Sequence, residues 1–419
     1  MITTAPPVRF PDHVPAPAMS DRRLRHGLRA LVLPHGATPL SEVRLIAPVG
    51  RFHQPAHQVA RLAGRLLREG SAHHTADDVA EILALHGAEL RVVPRWHTTE
   101  IRLSALREHM DVLLPLLGDM VRSPAFDADE LARMKRREAR SLRIRLRRND
   151  YLATRHALGA VFGSDHAFGY IPDPSELEAL TPTDLVNHWR AAADRPLTVA
   201  YAGRVDDGLP DLIDRHLAPE AAPTSTLPVA PVPDPRPMEE HIDGPSHAQT
   251  SIAVTRVLPP VDHPDAHDIH FVNLLLGGYF GSRLMRSIRE EKGYTYGIHA
   301  QILPLPGFCL QHISTDVGSE HTRATLDEIR SEMLRLQEED VPEHELTMAR
   351  NYAIGQLMRS VDGPFKTARM LRDLTLLDLD LRDRLDARMA ALQAITPRRI
   401  REVSRKYLTF EDTIRISVG

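Results

Sequence analysis

The chain has 419 residues, of which 42% are hydrophobic and 26% charged, with a formal net charge of −4. This length suits two or more domains, and the composition is that of a globular protein in water. No apolar run approaches the roughly 20 residues of a membrane helix, so we expect no membrane span. The charge balance gives no reason to expect nucleic-acid binding. The single cysteine, Cys309, excludes an internal disulfide and a multi-cysteine metal site.

Two proline-rich segments suggest where the domains begin and end. Residues 1–22 lack the apolar core of a signal peptide, and we interpret them as a flexible N-terminal arm of a cytoplasmic protein. Residues 216–238 carry seven prolines and have no helical or strand period, which is typical of an extended linker. We therefore predict an N-terminal domain over 23–215, a linker over 216–245 and a C-terminal domain over 246–419.

Each half of the chain has the same order of predicted elements. A strand, at 29–33 in the first half and 251–255 in the second, precedes a polar turn and a helix. Alternating strands follow around 89–102 and 294–315. Long amphipathic helices are predicted at 106–121, 127–147, 319–338 and 343–360. Strands followed by helices in each half predict an α+β fold, in which helices pack on one face of an antiparallel sheet.

Two landmarks repeat between the halves at a constant offset. Thr181-Pro and Thr396-Pro lie 215 residues apart, and Asp129-Glu-Leu and His344-Glu-Leu have the same separation. Thr followed by Pro favours a helix start, because the threonine oxygen caps the backbone and proline suits the first helical position. The constant offset indicates two homologous domains that arose by duplication.

The second half contains Leu276-Gly-Gly-Tyr-Phe-Gly-Ser-Arg-Leu and then Arg289-Glu-Glu-Lys-Gly-Tyr-Thr-Tyr. This sequence resembles the C-terminal signature of the pitrilysin/insulinase family of zinc peptidases, which includes the mitochondrial processing peptidases. Leu85-His-Gly-Ala-Glu-Leu and Ser123-Pro-Ala-Phe resemble the same family, so the resemblance covers residues 24–419. It implies two homologous α+β domains per subunit, and two subunits or linked halves that close around a peptide chamber.

The zinc motif of the family is absent from this chain. Family enzymes carry His-x-x-Glu-His on the first helix of the N-terminal half and a second Glu on a later helix, where two imidazoles bind zinc and the motif Glu takes a proton from the bound water. Here the aligned residues are Arg61-Leu-Ala-Gly-Arg65, and the position of the second Glu falls close to Arg143. A guanidinium group stays protonated and has no lone pair for a cation, so we expect no metal in this chain.

The arginines at the lost motif form a cluster that has two interpretations. Arg61, Arg65 and Arg68 fall on one face of the predicted helix, opposite an apolar stripe. The segment around Arg143, residues 133–148, holds eight Arg and one Lys against one acidic residue. The cluster is either a solvated surface that remained after catalysis was lost, or a positive pocket that binds an acidic peptide.

A second functional motif is retained. In the family's active pairs, the C-terminal half supplies an Arg and a Tyr, seven positions apart, which contact the substrate backbone beside a zinc ion held elsewhere. Arg289 and Tyr296 have this spacing. A guanidinium and a phenol can both donate to a peptide carbonyl and to the oxyanion that develops on it. The structural alternative is that Tyr296 packs in a strand while Arg289 caps its helix.

A retained Arg/Tyr pair beside a lost zinc motif predicts the non-metal subunit of a heterodimeric metallopeptidase. We expect this chain to be inactive alone, to close the chamber, and to supply Arg289 and Tyr296 to a homologous zinc-bearing partner. The substrate would be a peptide or leader peptide, and an acidic one if the arginines bind it. The alternative is a purely structural role without proteolysis, as in the core subunits of respiratory cytochrome bc complexes.

Overall fold

The structure is a computed structural model that describes residues 11–36, 38–193, 195, 197–220 and 230–419. The chain divides into two compact units. The N-terminal unit consists of the described parts of Pro17–Pro233 together with Gly363–Asp378. The C-terminal unit consists of the described parts of Met1–Ala16, Asp234–Asp362 and Leu379–Gly419. In the described part of the chain, no helix is both long and apolar enough to cross a membrane.

The N-terminal unit is built on a six-stranded sheet with the order β1-β2-β6-β3-β5-β4. Neighbouring strands are antiparallel, except that β2 and β6 run parallel. Strand β4 therefore lies at one edge of the described sheet. The strands are β1 (Ser20–Arg23), β2 (Arg29–Pro34), β3 (Leu40–Ala47), β4 (Glu89–Pro94), β5 (Thr99–Leu106) and β6 (Thr198–Gly203).

Nine helices of the described chain belong to this unit. They are α1 (Val59–Leu66), α2 (Ala76–Leu85), α3 (Met110–Arg122), α4 (Ala128–Arg145), α5 (Asn149–Phe162), α6 (Glu176–Ala179), α7 (Pro182–Ala193), α8 (Leu209–Leu217) and α12 (Pro364–Leu376). Helix α12 comes from the far end of the chain and packs on β2, β3 and β6. Arg372 of α12 donates to the buried carboxylate of Glu100 on β5 at 3.0 Å, which anchors the helix to this sheet.

The C-terminal unit has a five-stranded sheet with the order β7-β11-β8-β10-β9. Strands β7 and β11 run parallel and the other neighbours are antiparallel. The strands are β7 (Met238–Ile242), β8 (Gln249–Leu258), β9 (Ile298–Leu305), β10 (Phe308–Gly318) and β11 (Ile414–Val418). The helices are α9 (Ala266–Asn273), α10 (Thr322–Glu338), α11 (Glu343–Ser360), α13 (Leu381–Ala394) and α14 (Pro397–Tyr407).

Apart from the additional edge strand β1, the two sheets share one topology, which confirms the predicted α+β fold with two similar domains. The strand β6 that follows α7 is parallel to β2 and antiparallel to β3. The strand β11 that follows α14 is likewise parallel to β7 and antiparallel to β8. The helix starts also agree, since the hydroxyl oxygens of Thr181 and Thr396 accept hydrogen bonds from the backbone N–H of Asp184 and Arg399.

The boundaries of the compact units do not coincide with a single cut at the linker. Ser20–Arg23, at the end of the predicted arm, form the edge strand β1, and residues 1–10 lie outside the described chain. Within the predicted linker, residues 216 and 217 end α8, 221–229 lie outside the described residues, and Met238–Ile242 form β7. Gly363–Asp378 belong to the N-terminal unit although they lie far beyond the linker in sequence.

Candidate functional site

Helix α1 carries the residues aligned with the lost zinc motif, and its apolar stripe is buried as the sequence predicts. Val59, Leu62 and Leu66 have almost no solvent exposure and belong to the core of the N-terminal unit. A stripe at this spacing fixes the rotation of the helix about its axis. The opposite face therefore carries Arg61 and Arg65, whose side chains are partly exposed.

Arg61 and Arg65 both meet a buried carboxylate from α4. The Nε atom of Arg61 lies 2.6 Å from Oε1 of Glu138, and Nη1 of Arg65 lies 2.9 Å from Oε2. Arg145, at the end of α4, donates to Oε1 at 2.6 Å. The Glu138 side chain has no solvent exposure, and a buried carboxylate is tolerated only when it is paired and hydrogen-bonded. Three guanidinium groups supply that pairing.

Glu138, and not Arg143, is the α4 residue that faces the arginines of α1. Arg143 and Arg68 are exposed, and neither makes an ion pair within the described chain. The structure thus brings Arg61 and Arg65 together but leaves Arg68 and Arg143 outside the cluster. The signal for Glu138 was present in the sequence, because it is the one acidic residue in the basic segment 133–148.

Gly64 stands where the family motif has its proton-accepting glutamate, and the structure leaves no room for a side chain there. A Cβ atom on Gly64 would lie 2.3 Å from Cγ of Pro94 on β4. No real Cβ atom approaches another atom so closely, so any larger residue would require α1 or β4 to shift. The position of the general base is therefore closed by packing.

The residues present at the former motif do not fit a zinc ion. Two guanidinium groups and one carboxylate provide a single ligand group and two positive charges, whereas zinc sites use three or four nitrogen, sulfur or oxygen ligands. Among the residues that the structure describes, no group of three or more His, Cys, Asp or Glu side chains is placed to hold a metal ion.

A pocket of about 230 Å³ opens beside this cluster. Its lining includes two tyrosines, Tyr151 and Tyr170, and residues of β4. Five arginines also line it: Arg51, Arg61, Arg65, Arg145 and Arg155. Arg51 and Arg155 were not among the predicted site residues, because they come from a turn after β3 and from α5 and have no spacing relation to the motif.

Burial governs the electrostatics of this pocket. It lowers the pKa of Arg51, Arg61 and Arg155 from the ordinary arginine value, because a charged group loses solvation when it is removed from water. Glu138 opposes this effect at Arg61. Burial also raises the pKa of Tyr170, over whose ring the guanidinium of Arg155 lies at 5.1 Å from the centroid. The phenol therefore remains a neutral neighbour for the cation.

In the C-terminal unit, the signature segment is held in place by a buried ion pair. The segment is wound as two wide, π-helical turns at Leu274–Gly278 and Met285–Glu291. Between them, Nε and Nη2 of Arg283 donate to the two carboxylate oxygens of Glu345 on α11 at 2.8 and 3.0 Å. Bidentate geometry fixes both side chains, so Arg283 of the Ser-Arg-Leu motif attaches the segment to α11.

Arg289 and Tyr296 lie on the surface of the same segment. The Arg289 guanidinium stacks over the ring of Phe280 at 4.7 Å, and Phe280 is 63% exposed. Tyr296 is 95% exposed and lies in the loop before β9. By contrast, Tyr294 packs its ring against His321 with a centroid separation of 4.1 Å. The alternative in which Tyr296 packs in a strand therefore does not hold.

Comparisons with known proteins agree with these features. Residues 193–352 match the family model described as the peptidase M16 inactive domain. The chain is 21% identical over 350 residues to the uncharacterized zinc protease YmxG of Bacillus subtilis (strain 168), across 81% of this chain and 83% of that protein. The predicted pitrilysin/insulinase (M16) relationship is confirmed.

Solved structures show the M16 fold over almost the whole chain. The crystal structure of a peptidase M16 inactive domain from Pseudomonas fluorescens superimposes with a TM-score of 0.85 at 22% identity and covers 96% of this chain and 98% of that one. A protease from Helicobacter pylori gives the same TM-score at 15% identity and covers 96% and 100% of the two chains. This chain thus has the fold of M16-type proteins, while its described residues lack the zinc-binding side chains and its sequence retains the C-terminal signature.

Proposed function

We propose that this chain is the non-metal subunit of a heterodimeric metallopeptidase. It closes the peptide chamber and supplies Arg289 and Tyr296 to the active site of a homologous, zinc-bearing partner. The observation that carries the proposal is the contrast between the two motifs. The positions of the zinc motif are filled by arginines and closed by packing, whereas Tyr296 is left almost fully exposed without a packing role.

The exposed pair suits the stabilisation of a peptide substrate. Stacking on Phe280 restricts the Arg289 side chain, so less conformational entropy is lost when the guanidinium donates to a peptide carbonyl. The Tyr296 hydroxyl is free to donate to the oxygen that becomes negatively charged during attack on the peptide bond. A zinc ion held by the partner would activate the attacking water.

The partner is a different protein rather than a second copy of this chain. The sequence contains no His-x-x-Glu-His, so a homodimer would have two Arg/Tyr pairs and no metal ligands to act beside them. A partner of similar length and fold, with an intact motif, would complete the site. The substrate is a peptide or a leader segment, because the Arg/Tyr pair addresses the backbone of a peptide and not a particular side chain.

The proposal is tested by mixing the purified chain with a zinc-bearing M16 protein of similar length from the same organism, for which the neighbouring genes are searched first. We expect no peptide hydrolysis from either protein alone and hydrolysis from the pair. Arg289→Gln and Tyr296→Phe should each lower turnover by more than about tenfold in the pair, because each removes a donor to the developing oxyanion. Turnover is measured with a quenched fluorescent peptide library.

Matched variants on the same segment provide the control. Tyr294→Phe removes the hydroxyl of a packed tyrosine, and Arg286→Gln removes a partly exposed charge that is paired with Glu291. Both should leave turnover nearly unchanged. Activity of this chain without a partner, or full activity of the Arg289 and Tyr296 variants, would contradict the proposal that this chain supplies these two residues to a zinc-bearing partner. A stable pair that cleaves no peptide would favour the structural role instead.

A further inference from the structure

The pocket beside the former zinc motif contains buried donors that the described chain does not satisfy. They include Nε of Arg51 and both Nε and Nη2 of Arg155, none of which has a hydrogen-bond partner within the described residues. Both side chains are held by aromatic rings, since Arg51 lies 5.4 Å from the Trp96 centroid and Arg155 lies 5.1 Å from that of Tyr170. The donors are thus fixed in position before any ligand arrives.

The charges around the pocket are strongly unbalanced. Five guanidinium groups line it, and no carboxylate belongs to its lining. Glu138 lies behind the wall, where it pairs with Arg61, Arg65 and Arg145. Arg51 and Arg155 make no ion pair with any described carboxylate. Because an unpaired buried cation costs free energy, an anion that reaches these two groups would bind favourably.

We propose that this arginine pocket, lined by Arg51, Arg61, Arg65, Arg145 and Arg155, binds the carboxylate of an Asp or Glu side chain on a peptide. The planar forks of Arg51 and Arg155 match the two oxygens of a carboxylate. The apolar wall, which includes Val92 and Pro94 of β4, suits the methylene groups of such a side chain.

The size of the pocket and its position beside an edge strand favour a peptide over a free anion. About 230 Å³ holds one amino-acid side chain and is less than the volume of most small-molecule sites. The lining includes Val92, Val93 and Pro94 of β4, an edge strand of the described sheet. An edge strand offers backbone groups to an extended segment, which would place its side chains toward the sheet face.

Of the two interpretations of the arginine cluster drawn from the sequence, the proposed pocket corresponds to the positive pocket for an acidic peptide, but its residues differ. Arg61 and Arg65 remain in the pocket wall, Arg68 and Arg143 do not, and Arg51 with Arg155 become the groups that contact the ligand. As a statement about the substrate, the inference rests on the proposed function. Binding itself is a property of this chain and can be measured without the partner.

The test is fluorescence anisotropy with the full-length chain and a labelled decapeptide that contains two Glu residues. We expect it to bind at least about tenfold more tightly than the same peptide with Gln at both positions, with an affinity that falls as salt is raised. Arg51→Gln and Arg155→Gln should each weaken binding about tenfold, and Arg155→Lys should recover part of the loss because it restores the charge without the fork.

Arg143→Gln is the matched control, since it removes the same charge from α4 outside the pocket and should change affinity less than about twofold. Thermal melts show whether each variant is folded. We expect Arg155→Gln to melt at or above the wild-type temperature, because the side chain that it removes is unpaired. Equal weakening by Arg143→Gln and Arg155→Gln would show general charge attraction and overturn the pocket.

Competition identifies the source of the anion. Free glutamate or inorganic phosphate at millimolar concentration should displace the labelled peptide only weakly. If either displaces it fully, the occupant is a small anion and the peptide proposal fails. If the chain binds the acidic peptide but the mixed pair cleaves nothing, the proposal of the binding pocket is supported and the proposed function is contradicted. If the pair cleaves Glu and Gln peptides equally and the chain binds them equally, the proposed function is supported and the proposal of the binding pocket is contradicted.

Discussion

A buried carboxylate organises arginines in both units, but the two clusters differ in where the arginines face. In the C-terminal unit, Glu345 holds Arg283, and the two side chains are only 7% and 4% exposed. In the N-terminal unit, Glu138 is fully buried while its partners Arg61 and Arg65 are 35% and 43% exposed. The first cluster joins two elements of the fold. The second presents positive charge to a pocket.

This difference agrees with the retention of the C-terminal signature and the loss of the zinc motif. Arg283 belongs to the retained signature, and its ion pair keeps the segment that carries Arg289 and Tyr296 attached to α11. Arg61 and Arg65 occupy the positions of metal ligands and pair with a carboxylate on the helix that carries the family's distal glutamate. The guanidinium groups of Arg61, Arg65 and Arg145 neutralise this buried carboxylate, so no metal ion is needed to balance its charge.

The largest expected effect distinguishes these two clusters by stability. Glu345→Gln should destabilise the C-terminal unit by about 3–5 kcal/mol, because only the longer contact with Glu332 would then compensate the charge of the buried Arg283. Glu332, the nearest other carboxylate, has an oxygen 4.0 Å from Arg283, which is too far for a replacement hydrogen bond. Glu138→Gln should cost only about 1–3 kcal/mol, because its arginines can turn toward water.

The two units can be followed separately in one denaturation experiment. Both tryptophans, Trp96 and Trp189, lie in the N-terminal unit, so fluorescence in urea reports on that unit while circular dichroism reports on both. Equal losses for Glu345→Gln and Glu138→Gln would mean that the arginines of the N-terminal cluster are as constrained as Arg283. In that case the pocket wall would be part of the core.

A second prediction concerns pH and the N-terminal unit. His97 is 2% exposed, and neither of its ring nitrogens has a hydrogen-bond partner within the described chain. Burial lowers its pKa to about 4, with a smaller effect from His53 and His166. The unfolded chain takes up a proton below about pH 6.5 and the folded chain does not, so stability falls as the pH drops from 6.5 toward 4. At pH 5 this histidine alone should lower the free energy of unfolding by about 2 kcal/mol relative to neutral pH.

Replacement of the histidine isolates its contribution. His97→Phe keeps the ring contacts with Phe52 and Phe168, and it should reduce the loss of stability between pH 7 and pH 5 by about 2 kcal/mol. His344→Phe, an exposed change on α11, should leave that loss nearly the same. His312 of the C-terminal unit also has a pKa near 4, but it keeps a hydrogen bond with Thr255. An unchanged pH dependence in His97→Phe would contradict the prediction.

The sequence predicts local structure well because local rules determine it. The Thr-Pro helix starts, the long helices and the buried stripe of α1 all follow from capping and periodicity, and all are present. It does not predict which sheet a distant helix packs on, so the return of α12 to the N-terminal unit was missed. The same limit applies to Arg51 and Arg155, which reach the pocket from separate elements. The choice between Arg143 and Glu138 depends on the rotation of α4, which its many charged residues do not reveal.

The smallest expected effect bears on how the catalytic position was lost. In Gly64→Ala, a better helix former meets Pro94 at 2.3 Å, so the overpacking outweighs the gain in propensity and we expect a net loss of about 1 kcal/mol. Gly355 of α11 has no atom within 4 Å of its Cβ position, and Gly355→Ala should stabilise the C-terminal unit by up to about 1 kcal/mol. The same substitution at two helical glycines is therefore expected to change the free energy of unfolding in opposite directions. Adding Pro94→Ala to Gly64→Ala should recover the loss, since it removes the ring atoms in contact. If Gly64→Ala is instead neutral or stabilising, β4 can move away from α1 at little cost in free energy. In that case only the arginines of α1 exclude a zinc site.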